Sequence, residues 1–263
     1  MKTLLTFTAL SVFTLVASAA WDDFKLEDKS TLQHSFNATR LLDVDNINGF
    51  TDVISDGGKT IRLEGQRIIR AKDQQAMELA KKEVTVDFTE KEGTARAYVN
   101  GPFRSRERTK RDYQVTYNFT LHVPAAVDLQ LRSVNGHVSV KDVRGKFDIN
   151  TVNGKLDMTG IRGSGKARAV NGATHVEFLE NPAAECSIST VNGKIDLTLP
   201  AKANALLKFK TVNGHVYTDF EGMSGTITGR LDRGTPREFK IGSGNPVIEL
   251  QTVNGGIQIK KGK

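Results

Sequence analysis

The sequence has little cysteine, tryptophan and tyrosine and no second long apolar run. One cysteine, Cys186, occurs in 263 residues, so no disulfide can form within the chain. Tryptophan occurs once and tyrosine four times, a small supply of the large aromatic side chains that suit a sugar-binding groove. Beyond the first 20 residues, nothing approaches the ~20 apolar residues that span a bilayer. Buried apolar area and backbone pairing must therefore stabilise the fold.

The first 20 residues have the features of a secretory signal. Lys2 gives a positive start, residues 4–17 form an apolar run, and Ala17-Ser18-Ala19 matches the small-x-small pattern of a cleavage site. We predict a signal peptide over residues 1–19, with cleavage after Ala20 as the alternative. No cysteine directly follows the predicted cleavage site, so a lipid anchor at that position is not indicated. The mature protein is expected to be soluble and exported: periplasmic, associated with the cell envelope, or secreted.

The basic residues are unevenly distributed. The chain has a net charge of +7; residues 20–130 carry 17 basic and 18 acidic side chains, and residues 131–263 carry 19 and 12. Export excludes nucleic acid as the expected partner. The positive excess then indicates either a solvated surface or an attraction to anionic lipids or polysaccharides.

A repeat occupies the second half of the chain. Each unit contains an Asn-Gly corner, and its asparagine is Asn135, Asn153, Asn171, Asn192, Asn213 or Asn254. Four residues before these asparagines stand apolar residues: Leu131, Ile149, Ala167, Ile188, Phe209 and Leu250. Two residues before them stand small residues, mostly threonine, and polar residues occupy most positions between. This alternation with period two is typical of half-buried strands.

The alternation resumes after each corner, and an Arg-Gly or similar corner ends several units. Each unit is therefore strand, Asn-Gly corner, strand, second corner, over roughly 18 to 21 residues, a period that indicates stacked coils. We predict an all-β fold, a parallel β-helix or β-solenoid-like repeat with two short strands per unit. An antiparallel meander of hairpins is the alternative, because Asn-Gly also suits hairpin turns. In the solenoid, the corner would turn with left-handed backbone and the asparagines would form a hydrogen-bonded ladder.

Three other stretches were compared with the pattern of the repeat. The 41 residues from Asn213 to Asn254 span two periods, which predicts one degenerate unit around residues 225–241. Asn48, in "LLDVDNINGF", has Leu42 and Val44 at the core offsets and predicts a first unit. The tripeptide at residues 99–101 has poor core residues at those offsets, and we interpret it as a loop.

The N-terminal half also carries an insertion after the first unit. It is predicted to contain a strand in residues 59–71, a short helix in residues 73–82, and strands in residues 83–88 and 94–101. We therefore expect a β-rich N-terminal region over residues 20–125 and a repeat region over residues 126–263, joined as one continuous elongated domain.

Residues that could perform chemistry are scattered. The histidines are His34, His122, His137, His175 and His215, and none has the short-spaced partners of a zinc site. Cys186 falls in a core column and is expected to be a buried apolar side chain rather than a nucleophile. No EF-hand loop, G-x-S-x-G sequence or phosphate-binding loop is present. We predict no catalytic residue, no metal and no cofactor.

One basic segment stands out, "RSRERTKR". Its basic residues are Arg104, Arg106, Arg108, Lys110 and Arg111. They could dock on anionic lipid or lipopolysaccharide. The interrupting Glu107 and the preceding Gly-Pro favour an ordinary solvated loop instead.

The sequence resembles the DUF4097 family of bacterial proteins, which are conjectured to be adhesins. The resemblance rests on the early "DNING", the units "TVNGKI" and "TVNGHV" and the closing "LQTVNGGIQIKK", and it extends from about Leu41 to Lys260. It implies a β-solenoid-like protein of the envelope or periplasm, and it supplies no catalytic residues.

Three functions are compatible with this sequence. The first is a noncatalytic envelope scaffold or adhesin that presents a repetitive surface to an envelope protein or polysaccharide. The second is a carbohydrate-active enzyme, for which the outward carboxylates of Asp148, Asp157 and Asp196 would be candidates. The third is a periplasmic sensing or regulatory partner of a membrane protein, for which the sequence offers only location.

Overall fold

The computed structural model describes residues 24–104, 111–220 and 237–262, and within them the chain is almost entirely β-structure. The predicted signal peptide lies outside these residues. The elements follow in chain order: β1 (Leu26–Phe36), β2 (Leu41–Asn48), β3 (Thr51–Ser55), β4 (Ile61–Ala71), α1 (Gln74–Glu83), β5 (Thr85–Lys91), β6 (Thr94–Asn100), β7 (Tyr113–Val123), β8 (Asp128–Asn135), β9 (Val138–Lys141), β10 (Phe147–Asn153), β11 (Leu156–Ile161), β12 (Gly165–Asn171), β13 (Thr174–Phe178), β14 (Cys186–Asn192), β15 (Ile195–Leu199), β16 (Ala205–Asn213), β17 (Val216–Thr218), β18 (Arg237–Ile241), β19 (Val247–Asn254) and β20 (Ile257–Lys261).

The strands form two ten-stranded sheets. The first has the order β1-β4-β7-β3-β9-β11-β13-β15-β20-β17, and the second has the order β18-β16-β19-β14-β12-β10-β8-β2-β6-β5. Every neighbouring pair from β7 to β17 in the first sheet, and from β16 to β6 in the second, is parallel. The β-solenoid-like prediction is therefore confirmed, and the antiparallel meander is wrong.

Strands that precede an Asn-Gly corner stack in register. Ile149 lies opposite Leu131 on one side and Ala167 on the other, and Asn153 lies between Asn135 and Asn171. The side chains four residues before each corner asparagine point between the sheets, where at most 1% of their surface is exposed. The core is thus built of columns of equivalent residues, as the sequence alternation predicts.

The stacking order departs from the chain order at the C-terminal end. β19 lies between β14 and β16, and β20 lies between β15 and β17. The last unit of the chain is therefore inserted between the units of Asn192 and Asn213. The prediction of a degenerate unit at residues 225–241 is wrong for the part that is described: β18 runs antiparallel along the outer edge of β16. Residues 221–236 lie outside the described chain.

The N-terminal end of the stack is antiparallel. β1, β4 and β7 pair antiparallel in one sheet, and β5 pairs antiparallel with β6 in the other. Helix α1 packs against β4 and β7. It begins where the Asp73 carboxylate accepts a hydrogen bond of 2.8 Å from the amide of Ala76, and it buries Met77 and Ala80. The helix and strands predicted for the insertion are all present.

The tripeptide at residues 99–101 is the end of a strand, so the loop interpretation was wrong. β6 pairs with β2 in parallel, but its buried residues are Ala95, Ala97 and Val99, one position away from the offsets of the other units. The strand ends at Asn100, whose side chain accepts a hydrogen bond from the amide of Gly101. The same three letters therefore occur here outside the repeating corner.

Candidate functional site

The seven predicted corner asparagines form one continuous ladder along the molecule. In stacking order they are Asn48, Asn135, Asn153, Asn171, Asn192, Asn254 and Asn213. Each side-chain Nδ2 after the first donates to Oδ1 of the preceding asparagine, over 2.7 to 2.9 Å. Asn48 donates to the carbonyl of Val115 at the end of the row. The ladder fixes the register of the corners.

The corner glycines are needed for close approach between coils. A Cβ atom added to Gly154 would lie 1.9 Å from the carbonyl oxygen of Gly136, and one added to Gly172 would lie 2.0 Å from that of Gly154. Neither glycine has φ in the left-handed region. The predicted left-handed corner is therefore wrong for these units, because contact with the neighbouring backbone and not the sign of φ excludes a side chain.

The valines before the asparagines form an exposed apolar row on the second sheet. We call the five central residues the valine stripe: Val152, Val170, Val191, Val253 and Val212 in stacking order. Their exposed fractions are 39%, 39%, 40%, 40% and 39%. Val134 and Ile47 continue the row as half-buried residues. These valines contribute neither to core packing nor to the asparagine ladder. A contiguous exposed apolar row of this kind is therefore a candidate contact surface.

A shallow groove of about 650 Å³ runs along the valine stripe. The polar residues two positions before each valine of the stripe border this groove: Asn150, Arg168, Ser189, Gln251 and Lys210. Arg168 and Lys210 are the charged members of this lining, within the described residues. The groove is thus apolar along its length and basic at its border.

The predicted basic segment is only partly described, and its described ends are held by carboxylates. The Arg104 guanidinium lies 2.9 Å from the carboxylate of Asp45 and 3.9 Å from the ring centre of Tyr98. Arg111 lies 3.5 Å from the carboxylate of Glu83. Arg106, Arg108 and Lys110 lie outside the described residues. Arg104 and Arg111 therefore stabilise the N-terminal end of the stack through these contacts.

A second, polar groove of about 540 Å³ lies on the first sheet. His137 lies 3.4 Å from the carboxylate of Asp52 and stacks on Phe50, with ring centres 5.3 Å apart. Asp157 lines the same groove and forms an ion pair with Lys155.

The three candidate carboxylates do not converge. Asp157 and Asp196 lie on the outer side of the first sheet with His175 between them, Asp196 being buried there, whereas Asp148 faces outward on the second sheet. Each has a basic partner: Lys155, Lys194 and Arg168, respectively. Among the described residues, no group of three or more His, Cys, Asp or Glu side chains is arranged to hold a metal ion.

Cys186 is buried in the core column. Burial raises the pKa of its thiol to about 11, opposed by a hydrogen bond from the backbone of Gly165. A thiol with so high a pKa is a poor nucleophile.

Sequence reasoning placed the asparagines but missed the valines. The signal was available, because strand alternation puts the residue after a buried threonine on the outside. An outward valine in one unit is unremarkable; the same valine in successive in-register units is a surface.

Parallel stacked coils with an asparagine ladder define a repetitive β-solenoid-like protein. A family model described as Toastrack DUF4097 matches residues 112–260, more than half of the chain, and the chain belongs to this family. None of the curated proteins compared with the chain matches it.

Several solved structures are similar to the chain. A "putative cell adhesion protein" of Clostridium sporogenes ATCC 15579 is 13% identical, with 89% of this chain and 100% of that chain covered and a TM-score of 0.44. A "putative adhesin" of Bacteroides fragilis NCTC 9343 is 13% identical, with 88% and 97% covered and a TM-score of 0.38. A "putative adhesin" of Parabacteroides merdae ATCC 43184 is 13% identical, with 89% and 96% covered and a TM-score of 0.28.

In the three described ranges of the chain, no helix is long and apolar enough to cross a membrane.

Proposed function

We propose that the protein is a noncatalytic, exported component of the bacterial cell envelope that presents a repetitive surface to another envelope molecule, a protein or a polysaccharide. The observation that carries this proposal is the valine stripe, five equally exposed valines in register on a sheet held by the asparagine ladder. Apolar side chains in a contiguous exposed row favour a surface that is covered in use.

The rigidity of the surface supports the same role. Each strand of the second sheet between β6 and β16 has parallel neighbours on both sides, and the corner side chains are linked to each other. Side chains on such a sheet repeat at about 4.8 Å, so a partner with its own repeat can make the same contact several times. Binding through many weak contacts needs no reactive group.

Export and binding can be tested with the full chain in a bacterial host. We expect the exported protein to begin at Ala20 or Trp21 by N-terminal sequencing. We also expect the purified protein to sediment with isolated cell envelope and to release no reducing ends from envelope polysaccharide. Retention of residues 1–19 in the cytoplasm, or no sedimentation with envelope, would contradict the proposal.

Product formation would favour the carbohydrate-active enzyme instead. In that case Asp157→Asn should abolish the release of reducing ends, because Asp157 lines the polar groove of the first sheet.

A further inference from the structure

We propose that the valine stripe binds the acyl chain of a single-chain anionic amphiphile, a long-chain fatty acid, and that Lys210 binds its carboxylate. This inference goes beyond the proposed function, because it assigns to the same valine stripe a fatty acid, which is neither a protein nor a polysaccharide. It is carried by two independent features of the groove, its apolar shape and its charge.

The shape of the stripe fits one extended chain. Its five valines belong to adjacent parallel strands, so at about 4.8 Å per strand the row is about 19 Å long. The stripe is one residue wide, since the Asn ladder borders it on one side and polar residues border it on the other. A long apolar groove that is one side chain wide suits a single acyl chain better than the surface of a bilayer.

The charge of the border selects an anion. Arg168 and Lys210 line the groove, and the acidic residues Asp148 and Glu249 lie one row further from the valines on their strands, outside the lining. Lys166 and Lys208 occupy that outer row as well. An anionic group at the groove border therefore meets a net positive surface.

Lys210 is the better of the two cations for binding the carboxylate. Arg168 is already engaged: one of its guanidinium nitrogens lies 3.1 Å from the Asp148 carboxylate and 3.1 Å from the Asn150 side-chain oxygen. Lys210 has no ion-pair or hydrogen-bond partner for its ammonium group among the described residues. Lys210 also lies beside Val212, the last valine of the stripe, so a carboxylate bound there leaves the chain free to extend along the other four valines.

Palmitate titrated into the full-length mature protein tests the apolar contact. The variant Val170→Thr/Val191→Thr/Val253→Thr keeps β-branched residues in the strands and replaces three exposed methyl groups by hydroxyls. We expect it to bind palmitate about tenfold more weakly, or worse, while it stays folded and unfolds cooperatively on heating. The matched control is Val134→Thr, in the same row but outside the groove, which should bind like the wild type.

The charge contact is tested with a second pair of variants. Lys210→Gln should weaken palmitate binding about two- to fivefold and leave binding of palmitoyl lysophosphatidylcholine, which has no net charge, unchanged. The control is Lys260→Gln, which removes a basic residue of β20 on the first sheet, away from the groove, and should change neither affinity.

Three outcomes would overturn the proposal. They are wild-type palmitate affinity in the folded triple-valine variant, no palmitate binding by the wild type, and binding to phosphatidylglycerol vesicles without binding to monomeric palmitate. The last would assign the surface to membrane docking. If palmitate fails while sedimentation with envelope persists, the proposed function stands and this inference falls; if sedimentation also fails, both fall.

Discussion

Within one Thr-Val-Asn-Gly corner the four side chains have four different environments. The hydroxyl of Thr190 is buried and donates to the carbonyl of Gly172 in the preceding coil, over 3.2 Å. Val191 is exposed, and Asn192 bonds sideways to Asn171 over 2.8 Å. Gly193 lets the backbone of the preceding coil approach closely, because a Cβ added to Gly193 would lie 2.0 Å from the carbonyl oxygen of Gly172. Three of the residues therefore hold coils together, and the valine is left for contact with another molecule.

His34, outside the repeat, makes the stability of the fold depend on pH. His34 stacks on Phe88 with ring centres 4.4 Å apart and meets the Phe36 ring edge-on at 4.4 Å. Burial lowers the pKa of His34 below 6.5, opposed by the charge of Glu90. Because the folded-state pKa is the lower one, the unfolded chain binds this proton more tightly, and stability is lost as the pH falls below about 6.5.

We predict that the wild-type free energy of unfolding declines between pH 7.5 and 5.5 and that His34→Gln reduces this decline. Urea unfolding at intervals across the range measures both slopes. The account of His34 would be wrong if the variant and the wild type lost stability in parallel.

At the scale of the element, the contribution of a corner asparagine to stability depends on its position in the ladder. Asn171 takes part in two ladder bonds, as donor to Asn153 and as acceptor from Asn192, whereas Asn213 ends the row with one. Asn100 belongs to an identical Val-Asn-Gly tripeptide outside the ladder, and its side chain accepts only from the adjacent Gly101 amide among the described groups. The three sites compare the same substitution in different contexts.

We predict that Asn171→Ala costs about 1–3 kcal/mol, that Asn213→Ala costs about half as much, and that Asn100→Ala costs least. Each value comes from equilibrium denaturant unfolding of the full chain. Equal losses at the three sites would show that the ladder contributes nothing beyond the local turn.

At the scale of the whole molecule, the C-terminal unit is an interior coil. Its strands β19 and β20 have neighbours on both sides, so a defect there reaches units that are distant in sequence. Leu250 is fully buried in β19, opposite Ile188 and Phe209, whereas the next residue, Gln251, faces outward.

We predict that Leu250→Asp destabilises the protein by more than about 3 kcal/mol, because it buries an unpaired carboxylate in the core. Hydrogen exchange should then increase in β14 and β16 as well as in β19, while Gln251→Asp leaves all three strands protected. Faster exchange confined to residues 247–261 would contradict the interior position of this unit.

The sequence predicted the parts of the fold that repeat. In-register columns, parallel stacking and the asparagine ladder follow from side chains such as Ile149 and Asn153 that recur at a fixed period. The insertion of the last unit could not be predicted, because Leu250 would satisfy the column equally well at the end of the stack. The contact of Arg104 with Asp45 joins residues 59 positions apart, and no local pattern encodes it.

The candidate site was predicted less well than the fold. Alternation places Val191 outside, but the exposure of one valine does not distinguish a binding surface from ordinary strand surface. Only stacking in register with Val170 and Val253 makes a continuous stripe, and only the positions of Lys210 and Arg168 give its border a charge.

The central claim is that asparagine and glycine hold the repeat together while valine binds the partner. The most direct test is sedimentation with isolated envelope for variants in which one, three and all five stripe valines are threonine, each checked for folding by urea unfolding. We predict free energies of unfolding within about 0.5 kcal/mol per substitution of the wild type, together with envelope binding that falls at every step. A folded five-threonine variant that sediments with envelope as fully as the wild type would contradict the account.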